Sequence, residues 1–366
     1  MLYCRLYSAR SDAGKPPTGE TYQVISRLAF AVLTAWFTLT GPVLAATVTD
    51  SAGRTVAIPD RVTRVFAAGP PASTLLYVLA PEKMIGWVRP PREDERPFLL
   101  PQTRSLPELG RLTGRGDTLN LEKLIADKPD LIVDFGTVND TYRSLADRVQ
   151  AQAGIPYLLI DGRFSATPAA LRLLGDIIGV KPRGEELAQA AEAIFAQVDR
   201  VLDAVPQAKR PHVYLARGPE GLESGSKGSI NTEIIERAGG INVVESLRAR
   251  GGLVDVSPEQ VIAWAPDTIL SLDPRFAATA LGSAAWQPVP AVANRRIFLA
   301  PSLPFGFIDS PPSVNRLIGL TWLLHVLYPD QVQSDLRKDV KQFYHLFYQV
   351  DLTDADLTRL LAGSTN

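Results

Sequence analysis

Leu119-Asn120-Leu121-Glu122-Lys123-Leu124-Ile125-Ala126-Asp127-Lys128-Pro129-Asp130-Leu131-Ile132-Val133 returns in the second half of the chain as Val256-Ser257-Pro258-Glu259-Gln260-Val261-Ile262-Ala263-Trp264-Ala265-Pro266-Asp267-Thr268-Ile269-Leu270. Each copy reads as a capped helix, then Pro-Asp, then a buried strand. Asn120 and Ser257 are favourable N-cap residues, and Pro258 suits the first helical position. The glutamates stand in the first turn, where the helix dipole favours a carboxylate. Pro129 and Pro266 end the helices, because proline disfavours helical geometry in the residue before it. The apolar runs that follow suit parallel strands covered on both faces. One unit used twice predicts an α/β chain of two similar lobes with a ligand cleft between them.

At 366 residues the chain has the length for two domains. A net charge of −1 gives no reason to expect nucleic acid or an anionic membrane as partner. The single cysteine, Cys4, excludes an intramolecular disulfide. Arg27, the apolar run Leu28–Leu39 and Val43-Leu44-Ala45 have the order of an export signal with a small-residue cleavage site. The run is shorter than the roughly 20 residues that cross a bilayer. Cys4 precedes it and so is not a lipid-bearing cysteine. A periplasmic protein freed of residues 1–46 is expected.

Three further segments are expected: a first lobe over 47–166, a connecting helical segment over 167–205 and a second lobe over 206–366. Strands are expected at Arg64–Ala68, Ile85–Val88, Ile155–Ile160, His212–Gly218 and Arg296–Leu299, with helices at Ser73–Leu79 and Ser229–Gly240. In the connector, Leu171, Leu174, Ile177 and Ile178 share one helical face before Pro182 breaks the run. From Glu185 apolar residues recur at three- and four-residue steps. That second helix, about 20 residues, spans about 30 Å, enough to cross between lobes.

Enzyme motifs are largely missing: there is no G-x-S-x-G, P-loop, H-E-x-x-H or C-x-x-C. Three histidines, His212, His325 and His345, stand far apart, so no resident metal, cofactor or catalytic set is expected. The repeated glutamates, Asp50-Ser51-Ala52-Gly53-Arg54, Ala238-Gly239-Gly240-Ile241-Asn242, Pro311-Pro312-Ser313-Val314-Asn315-Arg316 and Phe343-x-x-x-Phe347-Tyr348 form a set in order. From about Thr47 onward the chain thereby resembles the substrate-binding proteins of ABC importers for iron–siderophores, haem and vitamin B12. The resemblance implies two Rossmann-like lobes joined by a single long rigid helix, with a shallow ligand cleft between them.

It also implies that Glu122 and Glu259 dock on arginines of the membrane permease, and that Arg217 lines the cleft. Loops at the C-terminal ends of strands are where ligands bind such sheets. Trp87, Arg89, Arg92, Arg248, Arg250, Phe305 and Phe307 are the further candidates, and Trp264 reads as core. The arginines suit an anionic ligand, since a guanidinium donates two hydrogen bonds at once. The expected ligand is a metal chelate, foremost a ferric siderophore or similar anionic iron complex. Molybdate or tungstate, a nickel or cobalt chelate, haem and cobalamin are the alternatives. The chain is expected to act as a monomer. An enzyme, a sensor or a scaffold on the same fold is the reading of another class.

Overall fold

An antiparallel hairpin, β1 (Ala46–Thr49) and β2 (Thr55–Ile58), opens the part of the chain that the computed structural model describes, residues 46–114, 121–245 and 252–364. Its Asp50-x-x-Gly53 turn is tied to the first lobe. The Arg54 guanidinium donates to Asp50 at 3.0 Å, to Asp147 at 2.7 Å and to the Tyr157 carbonyl at 2.9 Å. The expected leader, Asn120, Arg248 and Arg250 lie outside the described residues.

The first lobe continues with β3 (Val65–Ala67), α1 (Pro70–Leu79), α2 (Leu121–Asp127), β4 (Leu131–Gly136), α3 (Asp140–Ala153) and β5 (Tyr157–Asp161). Its strands form a parallel sheet in the order β3-β4-β5. Helices α4 (Thr167–Ile177) and α5 (Lys181–Asp203) follow. They pack closely, because a Cβ on Gly184 would lie 2.7 Å from the Leu171 carbonyl oxygen. Pro182 falls in the first turn of α5, a 23-residue helix about 35 Å long.

The second lobe contains β6 (His212–Ala216), β7 (Glu223–Gly225), α6 (Glu233–Arg237), β8 (Ile241–Asn242) and β9 (Leu253–Asp255). The second copy of the repeat follows as α7 (Pro258–Trp264) and β10 (Thr268–Ser271), then α8 (Pro274–Thr279), α9 (Pro290–Ala293) and β11 (Ile297–Leu299). Helices α10 (Arg316–Leu327), α11 (Leu336–Phe343) and α12 (Asp354–Leu360) complete it. The parallel order β11-β10-β6-β8 repeats that of the first lobe. Here β10 stands for β4, and β8 stands where Met84 bridges Val65 of β3.

The repeat matches in detail. Lys128 and Ala265, each just before the proline, both have φ 46°. Asp130 accepts the backbone N–H groups of Thr63 and Arg64 at 2.7 and 2.9 Å, and Asp267 accepts that of His212 at 3.0 Å. Pro-Asp thus turns the chain and pins the preceding strand in both lobes. Ser257 caps α7 in a capping box with Gln260. Leu124 and Val261, each fully buried, anchor the repeat helices in two separate outer cores. A larger core joins α1, α4, α5 and α10 across both lobes.

Some elements differ from expectation. α1 begins at Pro70, because proline is accommodated in a first helical turn. Ile85–Val88 forms no strand; Trp87 makes only an isolated bridge to Glu108. Of Ser229–Gly240 only five residues are α-helical, preceded by turns that Thr232 fastens through its hydroxyl to the Ser226 carbonyl at 2.8 Å.

Candidate functional site

The C-terminal end of β4 and the loops that follow β3, β6 and β11 face a common cleft of about 800 Å³. On the first lobe its wall is the start of α1, the Trp87–Arg89 loop, the end of β4 and Tyr142 of α3. On the second it is Arg217 just after β6, the turn around Asn231, and the loop after β11 that carries Phe305 and Asp309.

Aromatic rings give the floor its apolar character. Trp87 is buried and donates its indole N–H to the Thr103 carbonyl at 2.7 Å. Its ring lies 5.6 Å from that of Tyr77 and 6.2 Å from Phe305, which in turn sits 5.6 Å from Tyr348. Residues from both halves of the chain therefore share one cluster under the cleft. Beside it Arg316 is fully buried between the lobes. It donates to Gly162 of the first lobe at 3.0 Å, and to the Ile230 carbonyl and Glu233 of the second at 2.8 and 2.7 Å. Its guanidinium also lies 4.7 Å from the centre of the Phe164 ring.

Carboxylates balance the positive charge of the walls. Arg217 pairs with Glu223 at 2.9 Å and with the buried Asp309, so that trio carries a net negative charge. Burial pushes the Asp309 carboxyl above its ordinary range against the pull of Arg217. Arg89 makes a two-pronged bond to the buried Glu95 at 2.7 and 2.9 Å. On β4, Asp134 is 6% exposed and accepts only neutral donors, the Thr113 hydroxyl at 3.1 Å and the Tyr157 hydroxyl at 3.2 Å. Burial pushes its pKa up to about 6, the hydroxyls opposing. Among the described residues no group of three or more His, Cys, Asp and Glu is placed to hold a metal ion.

Of the residues singled out in the sequence, Arg217, Trp87, Arg89 and Phe305 line the cleft. Arg92 turns instead to Asp94 and Glu95, at 3.1 and 3.2 Å. Phe307 is fully buried in the main core rather than at the rim. Trp264 packs its ring 6.4 Å from Tyr214. Glu122 and Glu259 are exposed in the first turns of α2 and α7. A hydrogen bond to Ser257 holds the Glu259 carboxyl below its ordinary range.

Sequence reasoning passed over Asp134, Glu95, Asp309, Tyr142 and Ser73. For Asp134 a signal exists: it is a charge inside Leu131-Ile132-Val133-Asp134-Phe135, a run otherwise suited to a buried strand. For Asp309 there is none, since its loop meets Arg217 only in the folded chain. Among the described residues no helix is long and apolar enough to cross a membrane.

Residues 91–303 match the periplasmic binding protein family. An uncharacterized ABC transporter substrate-binding lipoprotein of Bacillus subtilis (strain 168), YvrC, is 21% identical over 297 residues, 78% of this chain and 86% of its own length. The vitamin B12-binding protein of Salmonella typhi is 30% identical over 156 residues, 42% of this chain and about half (54%) of that relative. An ABC transporter solute binding protein from Sulfurospirillum deleyianum DSM 6946 superposes with a TM-score of 0.80 at 30% identity, covering 86% of this chain and 99% of its own. With two matching lobes around one cleft, the chain belongs to the periplasmic binding protein family, as a substrate-binding protein of an ABC transporter.

Proposed function

We propose that the chain captures a bulky metal chelate in the interlobe cleft and delivers it to a membrane permease. The observation that carries this reading is the cleft's size together with its charge balance. A volume of about 800 Å³ is that of a site for a drug-sized molecule. A bare oxyanion such as molybdate fills a small part of it. Of the arginines expected to attract an anion, the described ones, Arg89, Arg92 and Arg217, each meet a carboxylate, which favours a chelate of low net charge over a strongly anionic one. A ferric siderophore with neutral ligating groups fits that description.

Cobalamin is the second reading. Trp87, Phe135, Tyr142 and Phe305 on the walls suit a large ring, and a vitamin B12-binding protein is among the relatives. In either case Glu122 and Glu259 face the permease as a symmetric pair. An exposed ion pair contributes only about 0–1 kcal/mol, so their part is orientation more than affinity. The chain acts outside the cytoplasm after losing residues 1–46, and its lobes move little on binding because α5 and Arg316 hold them.

The test is a thermal-shift panel of ferrioxamine B, ferric citrate, haemin, cyanocobalamin, molybdate and a nickel chelate. Ligand at 100 times its Kd stabilises by about 2.7 kcal/mol, a rise of a few degrees for a chain of this size. A shift with one bulky chelate is expected. A shift with molybdate alone would overturn the reading.

A further inference from the structure

Given the chelate reading, the first lobe also shows which part of the ligand it receives. On the second-lobe wall of the cleft Arg217 is held between Glu223 and Asp309. On the first-lobe wall one hydroxyl lacks a partner and one carboxylate lacks a counter-charge among the described residues. Ser73, in the first turn of the ten-residue helix α1, is 4% exposed, and its hydroxyl meets no hydrogen-bonding partner among the described residues. Its neighbour Thr74 differs, because that hydroxyl bonds back to the Pro70 carbonyl at 3.3 Å. Asp134 has hydroxyl donors but, among the described residues, no cation within ion-pair distance.

Both positions line the same cleft, and the chain leading into α1 packs beside β4. Ala68, leading into α1, donates its N–H to the Val133 carbonyl at 2.8 Å. A Cβ on Gly69, the residue before α1, would lie 2.5 Å from Thr113 Oγ1, the atom that bonds Asp134. A buried hydroxyl left without a partner costs about 1–3 kcal/mol, so a ligand group that satisfies it is favoured. The positive end of α1 opens at the same place and favours an acceptor beside Ser73.

The geometry points to a polar subsite on the first lobe, formed by Ser73 Oγ and the Asp134 carboxyl, that receives a neutral amide or hydroxyl group on the rim of the chelate. Ser73 donates to the ligand's carbonyl or hydroxyl oxygen, and the Asp134 carboxylate accepts its N–H or O–H. A carboxylate-rimmed chelate is rejected there by like charge. The groups facing Asp134 are Tyr157 of β5, Tyr142 of α3 and Thr113, with Arg54 beyond Tyr157 fastened to Asp50 and Asp147. Arg111 and, across the cleft, Arg217 with Asp309 complete the charged lining on that side.

The sign of the pH dependence follows. A ligand that donates to Asp134 binds its ionised form, so affinity is nearly full at pH 7 and declines as the pH falls through the pKa of about 6. The experiment measures Kd at pH 7 and pH 5 for two amide-rimmed probes, ferrioxamine B and cyanocobalamin, and two oxyanion probes, ferric citrate and molybdate. An amide-rimmed probe is expected to bind about tenfold more weakly at pH 5. Asp134→Asn removes that difference. Ser73→Ala weakens binding about two- to tenfold, as loss of one neutral hydrogen bond does. Because no group among the described residues bonds the Ser73 hydroxyl, this variant keeps its Tm, which separates a lost contact from a lost fold. Tighter binding at pH 5, binding of the oxyanion probes alone, or an unchanged pH difference in Asp134→Asn would overturn the subsite while leaving the transport reading intact. Binding of none of the four would overturn the chelate reading itself.

Discussion

Strand β4 of the first lobe and strand β10 of the second end the same sequence repeat, lie at the same place in their sheets and differ in what they present. Asp134 on β4 corresponds to Ser271 on β10. The serine is closed on itself, donating to the Asp273 carbonyl at 2.8 Å and accepting the Asp273 N–H at 3.3 Å. The aspartate is a buried carboxyl on the cleft wall with only hydroxyls to hold it. Helix, Pro-Asp turn and strand are therefore the shared scaffold, and the fourth strand residue, Asp134 or Ser271, is where the lobes part. The second lobe supplies a wall whose arginine is already paired with carboxylates, and the first supplies a hydroxyl unpartnered among the described residues and a carboxyl held by hydroxyls alone. Repetition accounts for the fold and asymmetry accounts for ligand recognition.

The comparison breaks first at the residue that joins the lobes. Arg316→Met leaves Glu233 and the Gly162 carbonyl without their buried cation. Losing one partner of a buried pair costs about 3–5 kcal/mol, which urea denaturation will read as a lowered midpoint. Leu124→Ala and Val261→Ala then test the equivalence of the repeats, since each empties the same site in its own lobe. The leucine change is expected to cost about 2–5 kcal/mol and the valine change less, because fewer methyl groups are lost. Both effects should add, the sites lying in separate cores.

Asp134→Asn sharpens the contrast with Ser271. The folded-state pKa of about 6 lies above the ordinary value of 3.8, so the folded protein binds more protons between those values and loses stability as pH rises through them. The amide variant escapes that loss. It should therefore gain about 1–3 kcal/mol relative to wild type at pH 7.5 compared with pH 4, by denaturation at the two pH values. The smallest expected effect is Glu122→Ala/Glu259→Ala: stability within about ±0.5 kcal/mol of wild type, yet transport lost in a cell uptake assay. Normal uptake would remove the docking role.

How far the sequence carried this account depends on whether the cause was local. The repeat, the hairpin turn and the helix break near Pro182 rest on contacts within a few residues, and all were legible, though the second helix starts at Lys181 and not at Glu185. Ser257 likewise caps its helix with Gln260, three residues on. Helix α3 was legible too, with Asn139 capping its start and a left-handed Gly154 after its end, though neither was used. Long-range pairing was not legible. The sequence shows Arg217 as a free positive charge, and only folding brings Asp309, far along the chain, against it. The same holds for Arg316, whose partners come from three separate segments, and for Phe307, whose burial depends on α10 packing over it.

The central claim is that a bulky chelate occupies the interlobe cleft. Gly136 lines that cleft, and a Cβ added there would meet nothing within 4 Å, so a large side chain extends into the cleft without disturbing the backbone. The decisive measurement is calorimetric titration of the chelate found in the thermal-shift panel into wild type and Gly136→Trp. The account predicts an unchanged Tm without ligand and binding lost or weakened at least a hundredfold, about 2.7 kcal/mol. An unchanged Kd in that folded variant would contradict it.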